Sequence, residues 1–101
     1  MQIRLPMNQG IVGTVCTTGK SLNITDPYND SRFNKAFDLQ NNYKTKSILC
    51  YPIFDQNHHI VGVVQAINKA GGVFKKDDED FLHIMANLAG IVIRNSLFYD
   101  E

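Results

Sequence analysis

The sequence is poor in the residues that usually advertise chemistry. It holds no tryptophan, two cysteines, three prolines and three histidines among 101 residues. Ten Lys and Arg balance ten Asp and Glu, so bulk charge favours neither nucleic acid nor an anionic membrane as partner. No apolar run approaches the roughly 20 residues of a membrane helix. Met1-Gln2-Ile3-Arg4-Leu5-Pro6 lacks the apolar core of a signal peptide. Cys16 follows Val15 and Cys50 follows Leu49, positions that suit buried free thiols in a reducing cytoplasm rather than a disulfide scaffold. Neither stands in a Cys-x-x-Cys or near a histidine at ligand spacing, so no metal site is expected. His58 and His59 share a turn and His83 lies far from both. With no His-x-x-x-His and no Gly-x-Ser-x-Gly, no catalytic site is expected either.

What remains is the composition of a soluble globular domain, 44% hydrophobic and 20% charged. The length allows one domain or part of one. Gln2-Ile3-Arg4-Leu5 alternates like a strand end stopped by Pro6, and Asn8-Gln9-Gly10 forms a turn. Residues 11–18 are rich in β-branched side chains, which favour strand. The flanking glycines and the Thr18-Gly19-Lys20 ending favour a short helix instead. Ser21-Leu22-Asn23-Ile24 is a short strand. Asp26-Pro27 suits a helix start, and Asp30 suits the cap of a second short helix carrying Phe33 and Phe37. Gln40-Asn41-Asn42-Tyr43 is a loop in which Asn42 takes a left-handed conformation.

Residues 46–54 form a strand whose Pro52 implies an edge or a bulge. The chain turns at Asp55-Gln56-Asn57-His58. It returns through residues 60–67, a near-continuous apolar strand expected to be buried on both faces. Gly62 within it suggests a close approach by another element. After Ala70-Gly71-Gly72, a helix over 77–101 would run about 36 Å. Its apolar face is Phe81, Ile84, Met85, Leu88 and Val92. Asp77, Asp78, Glu79 and Asp80 complement the dipole at its start. Its far end is expected to pack on another chain or domain.

Three features suit a ligand. Gly10-Ile11-Val12-Gly13 presents backbone N–H groups at a helix start, an anion site or simply close packing. Asn34, Asn41 and Thr45 suit hydrogen bonds to a base or ribose, or turn and capping roles. Gln65 is a polar side chain in an apolar strand, whose partner is a ligand, backbone or water.

These pieces line up with a family. Asn68-Lys69, then Phe74, then Asp78-Glu79 resembles the Asn-Lys…Phe-x-x-x-Asp-Glu signature of GAF domains in cyclic-nucleotide phosphodiesterases and some adenylyl cyclases. Leu22-Asn23-Ile24-x-Asp26, Asp30-x-Arg32-Phe33-Asn34, Ile48-Leu49-Cys50-x-Pro52-Ile53 and Gly62-Val63-Val64-Gln65-Ala66-Ile67 stand around it in order. The resemblance implies an α+β fold, a PAS-like antiparallel sheet flanked by helices. It implies a single domain over 1–101, with the sheet and lid in 1–69 and the long helix in 77–101. Relative to a complete GAF domain, the first helix and first strands are expected to be missing.

The resemblance further implies a non-catalytic regulatory domain that binds cGMP or cAMP and acts on a linked phosphodiesterase catalytic domain. The ligand-binding residues it implies are Ile11, Val12, Asn34, Asn41, Thr45 and Gln65. Family members carry Tyr and Thr where this chain has Asn34 and Asn41. Asn68, Lys69, Phe74, Asp78 and Glu79 are implied to be structural, with Lys69 and Asp78 an ion pair. No cofactor beyond the cyclic nucleotide is implied, and neither nucleic acid nor membrane is an implied partner. The alternative it leaves open is a GAF domain that binds no nucleotide and serves dimerisation, as a homodimer through the last helix. Some GAF-fold proteins reduce free methionine sulfoxide with cysteines, but Cys16 and Cys50 are expected to be buried, and thiolate chemistry wants an exposed, electropositive setting.

Overall fold

The computed structural model describes residues 10–99, with side chains described to residue 93. The expected strand at Gln2-Ile3-Arg4-Leu5 lies outside the described residues. The element order is α1 (Gly10–Thr18), β1 (Leu22–Ile24), a 3-10 turn (Pro27–Asn29), α2 (Ala36–Asn41), β2 (Ile48–Phe54), β3 (Ile60–Ile67) and α3 (Lys76–Tyr99). The strands form one antiparallel sheet in the order β1-β2-β3.

α1 is helical despite its β-branched content. Thr14 and Thr18 turn their hydroxyls back onto the carbonyls of Gly10 and Thr14, at 3.1 and 2.8 Å, which satisfies the hydroxyls within the helix. Gly19 closes it at φ +73°, donating its N–H to the Val15 carbonyl at 2.8 Å.

β2 alternates its side chains between two layers. Ile48 and Cys50 join Ile11, Val15 and Ile24 beneath α1. Leu49 meets Phe74 and Leu82 on the opposite face, beneath α3. The sheet therefore separates α1 and the β1–β2 connection from the long helix.

Five expectations need correction. β2 is the central strand, so of the edge or bulge expected at Pro52 the edge does not hold, while the bulge alternative fits the register shift one residue on. Pro52 is tolerated because β1 ends opposite Cys50, so Pro52 pairs only with Val63, just before an irregularity at Ile53/Phe54. β3 is half-buried along most of its length, not buried on both faces, because it borders the sheet among the described residues. A side chain at Gly62 would meet nothing closer than Ile53 at 3.7 Å. The close approach is at Gly90, where a Cβ would lie 2.7 Å from the Phe54 carbonyl oxygen.

The region around α2 differs as well. Asp30 closes the 3-10 turn, donating its N–H to the Pro27 carbonyl, and starts no helix; α2 begins later, after Lys35. The Asp30 carboxylate takes the Arg32 guanidinium instead, at 2.6 and 2.9 Å. Phe33 precedes α2, while Gln40 and Asn41 lie inside it. Asn42 does end the helix in the left-handed region, at φ 51°.

The fifth correction concerns α3. Its inward positions are Leu82, Ala86 and Gly90. Phe81, Ile84, Met85, Leu88 and Val92 are all exposed, Phe81 at 65% and Val92 at 62%. Small residues let the helix lie close on the sheet, so the bulkier stripe faces away.

Candidate functional site

The connection between β1 and β2 folds back over the sheet beside α1 and encloses a cleft. Ile11 and Val12 enter it from the first turn of α1. Phe33, Asn34, Phe37, Asp38 and Thr45 come from the connection, and Ile48, Gln65 and Ile67 from the sheet. The cleft is narrow. Its cavity volume is only about 40 Å³, room for a few waters rather than for a ligand that fills a pocket of roughly 300 Å³ or more.

Five of the six residues singled out for ligand contact line this cleft: Ile11, Val12, Asn34, Thr45 and Gln65. Asn41 does not. It is exposed, and its side-chain amide donates to the Phe37 carbonyl at 2.9 Å. A residue on the outer face of a short helix finds the carbonyl four positions back before it finds a pocket. Asn34 also has a local role, accepting the Ala36 N–H on its side-chain oxygen at 2.9 Å.

Sequence reasoning missed Asp38. This carboxylate is 3% exposed and lies at the cleft wall. Tyr28 Oη donates to Oδ2 at 2.6 Å, the Thr45 N–H to Oδ2 at 2.7 Å and Thr45 Oγ1 to Oδ1 at 2.9 Å. Burial pushes the Asp38 carboxyl up, but the bonds from Tyr28 and Thr45 outweigh burial and leave it below its ordinary value. Asp38 is thus an ionised acceptor in the wall at neutral pH. No local pattern in the sequence marks it, because its partners Tyr28 and Thr45 stand ten residues before it and seven after it.

The Asn-Lys…Phe…Asp-Glu residues form a clamp beside the cleft. Asn68 takes φ +59°. Its side chain accepts from the N–H groups of Lys46 and Ser47 and donates to Tyr43 Oη and the Lys44 carbonyl. One amide thereby pins the downstream end of the connection. Lys69 Nζ pairs with Asp78 Oδ2, which also accepts the Lys75 N–H at 2.8 Å. Phe74 is buried against Leu49 and Leu82. Asn23 donates to the Phe74 carbonyl and to Glu79 Oε2, at 2.9 and 2.8 Å. β1, the end of β3 and the start of α3 are joined this way, and none of the five residues lines the cleft.

The thiols and histidines offer little reactivity. Burial pushes the Cys50 thiol up to about 12, and burial also raises Cys16. Thiolate chemistry needs the opposite shift. His58 stacks on Phe54 at 4.3 Å and His83 on Tyr51 at 5.3 Å. Among the described residues no cluster of three His, Cys, Asp or Glu suits a metal ion, and no helix is long and apolar enough to cross a membrane.

Comparison with known proteins adds a family. Residues 1–93 match the GAF domain family. The chain is 43% identical over 100 residues to "Probable 3',5'-cyclic phosphodiesterase pde-5" of Caenorhabditis elegans, covering 99% of this chain and 14% of that protein. It is 41% identical over 100 residues to "Dual 3',5'-cyclic-AMP and -GMP phosphodiesterase 11A" of Takifugu rubripes, covering 97% of this chain and 11% of that protein. The chain therefore spans only about a seventh or less of the length of these relatives. Among solved structures, the GAF domain of a phosphoenolpyruvate-protein phosphotransferase from Coxiella burnetii superposes with a TM-score of 0.79 at 19% identity, over 94% of this chain and 55% of that one.

Proposed function

The chain belongs to the GAF domain family, and from that footing we propose that it is a regulatory module that binds a cyclic nucleotide, cGMP or cAMP, in the cleft between α1, the β1–β2 connection and the sheet. The carrying observation is the convergence of Ile11, Val12, Asn34, Thr45 and Gln65 on one cleft, in a chain whose relatives include cyclic-nucleotide phosphodiesterases. The N–H groups of the first turn of α1 suit the cyclic phosphate. Asp38 and Gln65 suit hydroxyl and N–H donors of the ribose and base. A nucleotide needs more room than the cleft offers, so binding lifts the connection, and its reclosure on the ligand is the event that reaches a phosphodiesterase catalytic domain linked in the same protein. The buried thiol of Cys50, outside any disulfide, suits work in the cytoplasm.

Isothermal titration of the protein with cGMP and cAMP tests this. Heat of binding that Thr45→Ala weakens supports the reading. No binding of either nucleotide refutes it.

The exposed stripe of α3 favours a second reading, a homodimer through this helix with no nucleotide. Phe81, Ile84, Leu88 and Ile91 advance in steps of three, four and three, all exposed, the spacing of a helix seam that meets a second copy. Leu88→Glu with Ile91→Glu should then halve the mass in sedimentation. A mass equal to that of the unaltered protein refutes this reading, whether the stripe is covered by the rest of the same chain or left open.

A further inference from the structure

α2 is a lid helix with a single, partly buried apolar contact, Phe37 at the cleft. Its one buried side chain is the carboxylate of Asp38, while Leu39 stands 78% exposed. The helix packs only lightly on the other elements. A six-residue helix has little stability of its own, so the bonds to Asp38, beside the Phe37 contact, carry much of what keeps it down.

Those bonds come from two directions. Both Thr45 donors lie seven residues downstream, on the segment that Asn68 pins. Tyr28 is the upstream donor, and it ties the 3-10 turn to α2 at 2.6 Å. The phenol is itself oriented. Phe33 packs on its ring at 5.4 Å, and the Lys35 and Lys44 ammonium groups lie 5.3 and 4.5 Å from the ring centroid. Cations over the face of a phenol are attracted to it, and these two hold the ring where its hydroxyl meets the carboxylate.

We propose that Tyr28 is a positioning residue for the lid: acting through Asp38, its hydroxyl sets how often α2 lifts to open the cleft. As a statement about ligand entry, this rests on the cleft being the nucleotide site. As a statement about the lid, it stands without a ligand.

Tyr28→Phe keeps the ring, its packing on Phe33 and its two cations, and removes one hydroxyl. Hydrogen exchange of the intact protein, with no ligand, reads the result. The Tyr43 and Thr45 amides, which donate to the Asp38 carbonyl and carboxylate, should exchange roughly fivefold faster, the scale of one lost hydrogen bond. Amides of β2 and β3 should keep their rates. Unchanged lid amides overturn the proposal. So does equal acceleration through the sheet, which would make Tyr28 a contributor to global stability only.

Asp38→Asn supplies the second arm. In that background Tyr28→Phe should add little further lid exchange, since the two act in series, and a fully additive effect overturns action through Asp38. Titration of the wild-type protein with cGMP and cAMP separates the two ideas. Binding of neither removes the nucleotide reading, while the exchange rates still decide the role of Tyr28.

Discussion

Gly90→Ala places a methyl group where the structure has no room for one. An ideal Cβ at this position lies 2.7 Å from the Phe54 carbonyl oxygen and 3.6 Å from Ile53 Cγ2. The first contact is with backbone at the start of the β2–β3 turn, where the Asp55 N–H is already bonded to the His59 carbonyl at 2.8 Å, so no flexible side-chain end can swing aside. Relief requires α3 to move off the sheet by roughly half an ångström, loosening Leu82 and Ala86 at the same interface. Overpacking of this kind costs about 1–3 kcal/mol. Against it, alanine gains about 1 kcal/mol over glycine inside a helix. A clash with rigid backbone belongs in the upper half of the overpacking range, about 2–3 kcal/mol, so the expected net loss is about 1–2 kcal/mol, or a fall of roughly 4–16 °C in Tm for a domain of this size. Urea unfolding followed by circular dichroism gives the free energy, with Ala89→Gly one position away calibrating the helix-propensity term alone. A Gly90→Ala protein as stable as wild type, or more stable, would mean that helix propensity dominates and that α3 does not lie against Phe54.

Three further outcomes follow from the bonds. Thr45→Ala should lower stability by about 1–2 kcal/mol, because it removes a buried donor to an ionised carboxylate, and the urea midpoint should fall with no change in the slope. Lys69→Met should lower the urea midpoint by removing the cation that faces Asp78, and adding Asp78→Asn should cost less than the sum of the two single changes, a coupling that a double-mutant cycle measures. Stability should hold from neutral pH down to about 5 and then decline. Asp30 is held down to about 2 by the Arg32 guanidinium, and Asp38, Asp55 and Asp78 also lie below the ordinary 3.8. Carboxyls lowered by folding stabilise the native state above their unfolded pKa and lose that effect as pH falls through their folded values. Acid titration monitored by circular dichroism checks the sign, and a rise in stability below pH 4 would contradict it.

The elements legible in the sequence are those whose local chemistry and tertiary role agree. Gly19 and Asn42 marked helix ends because left-handed backbone selects those residues. The β2–β3 hairpin was readable from two apolar runs around a polar turn. α3 was readable as a helix, but its inward face was not. Hydrophobic periodicity finds the face with the largest apolar side chains, whereas this helix presents Leu82, Ala86 and Gly90 to the sheet, and small residues carry almost no weight in such a pattern. Asp38 escaped for a related reason. A carboxylate counts as polar surface in any sequence pattern, and only the arrival of Tyr28 and Thr45 from either side makes it interior. Asn41 is the opposite case, since the resemblance pointed to a position whose amide is bonded to its own helix, away from the cleft.

The two faces of the sheet are held by different forces, a division that suits the regulatory role proposed above. On the α3 side, Leu49, Phe74 and Leu82 make an apolar contact, fastened at its edge by the Lys69–Asp78 pair and by Asn23. On the cleft side, α2 hangs on hydrogen bonds to one carboxylate, with Asn68 holding the segment that follows it. Apolar contacts are broad and slow to exchange partners, while a few polar bonds can be traded for bonds to a ligand at little net cost. Ser47, Ile48 and Leu49 are consecutive residues. The first meets the clamp through the Lys69 N–H, the second lines the cleft and the third packs under α3. Because successive side chains in a strand point to opposite faces, a ligand that displaced the start of β2, as proposed above, would act on the α3 contact one residue away. The start of β2, rather than α2 itself, is therefore the place where occupancy of the cleft and the position of the long helix are physically joined.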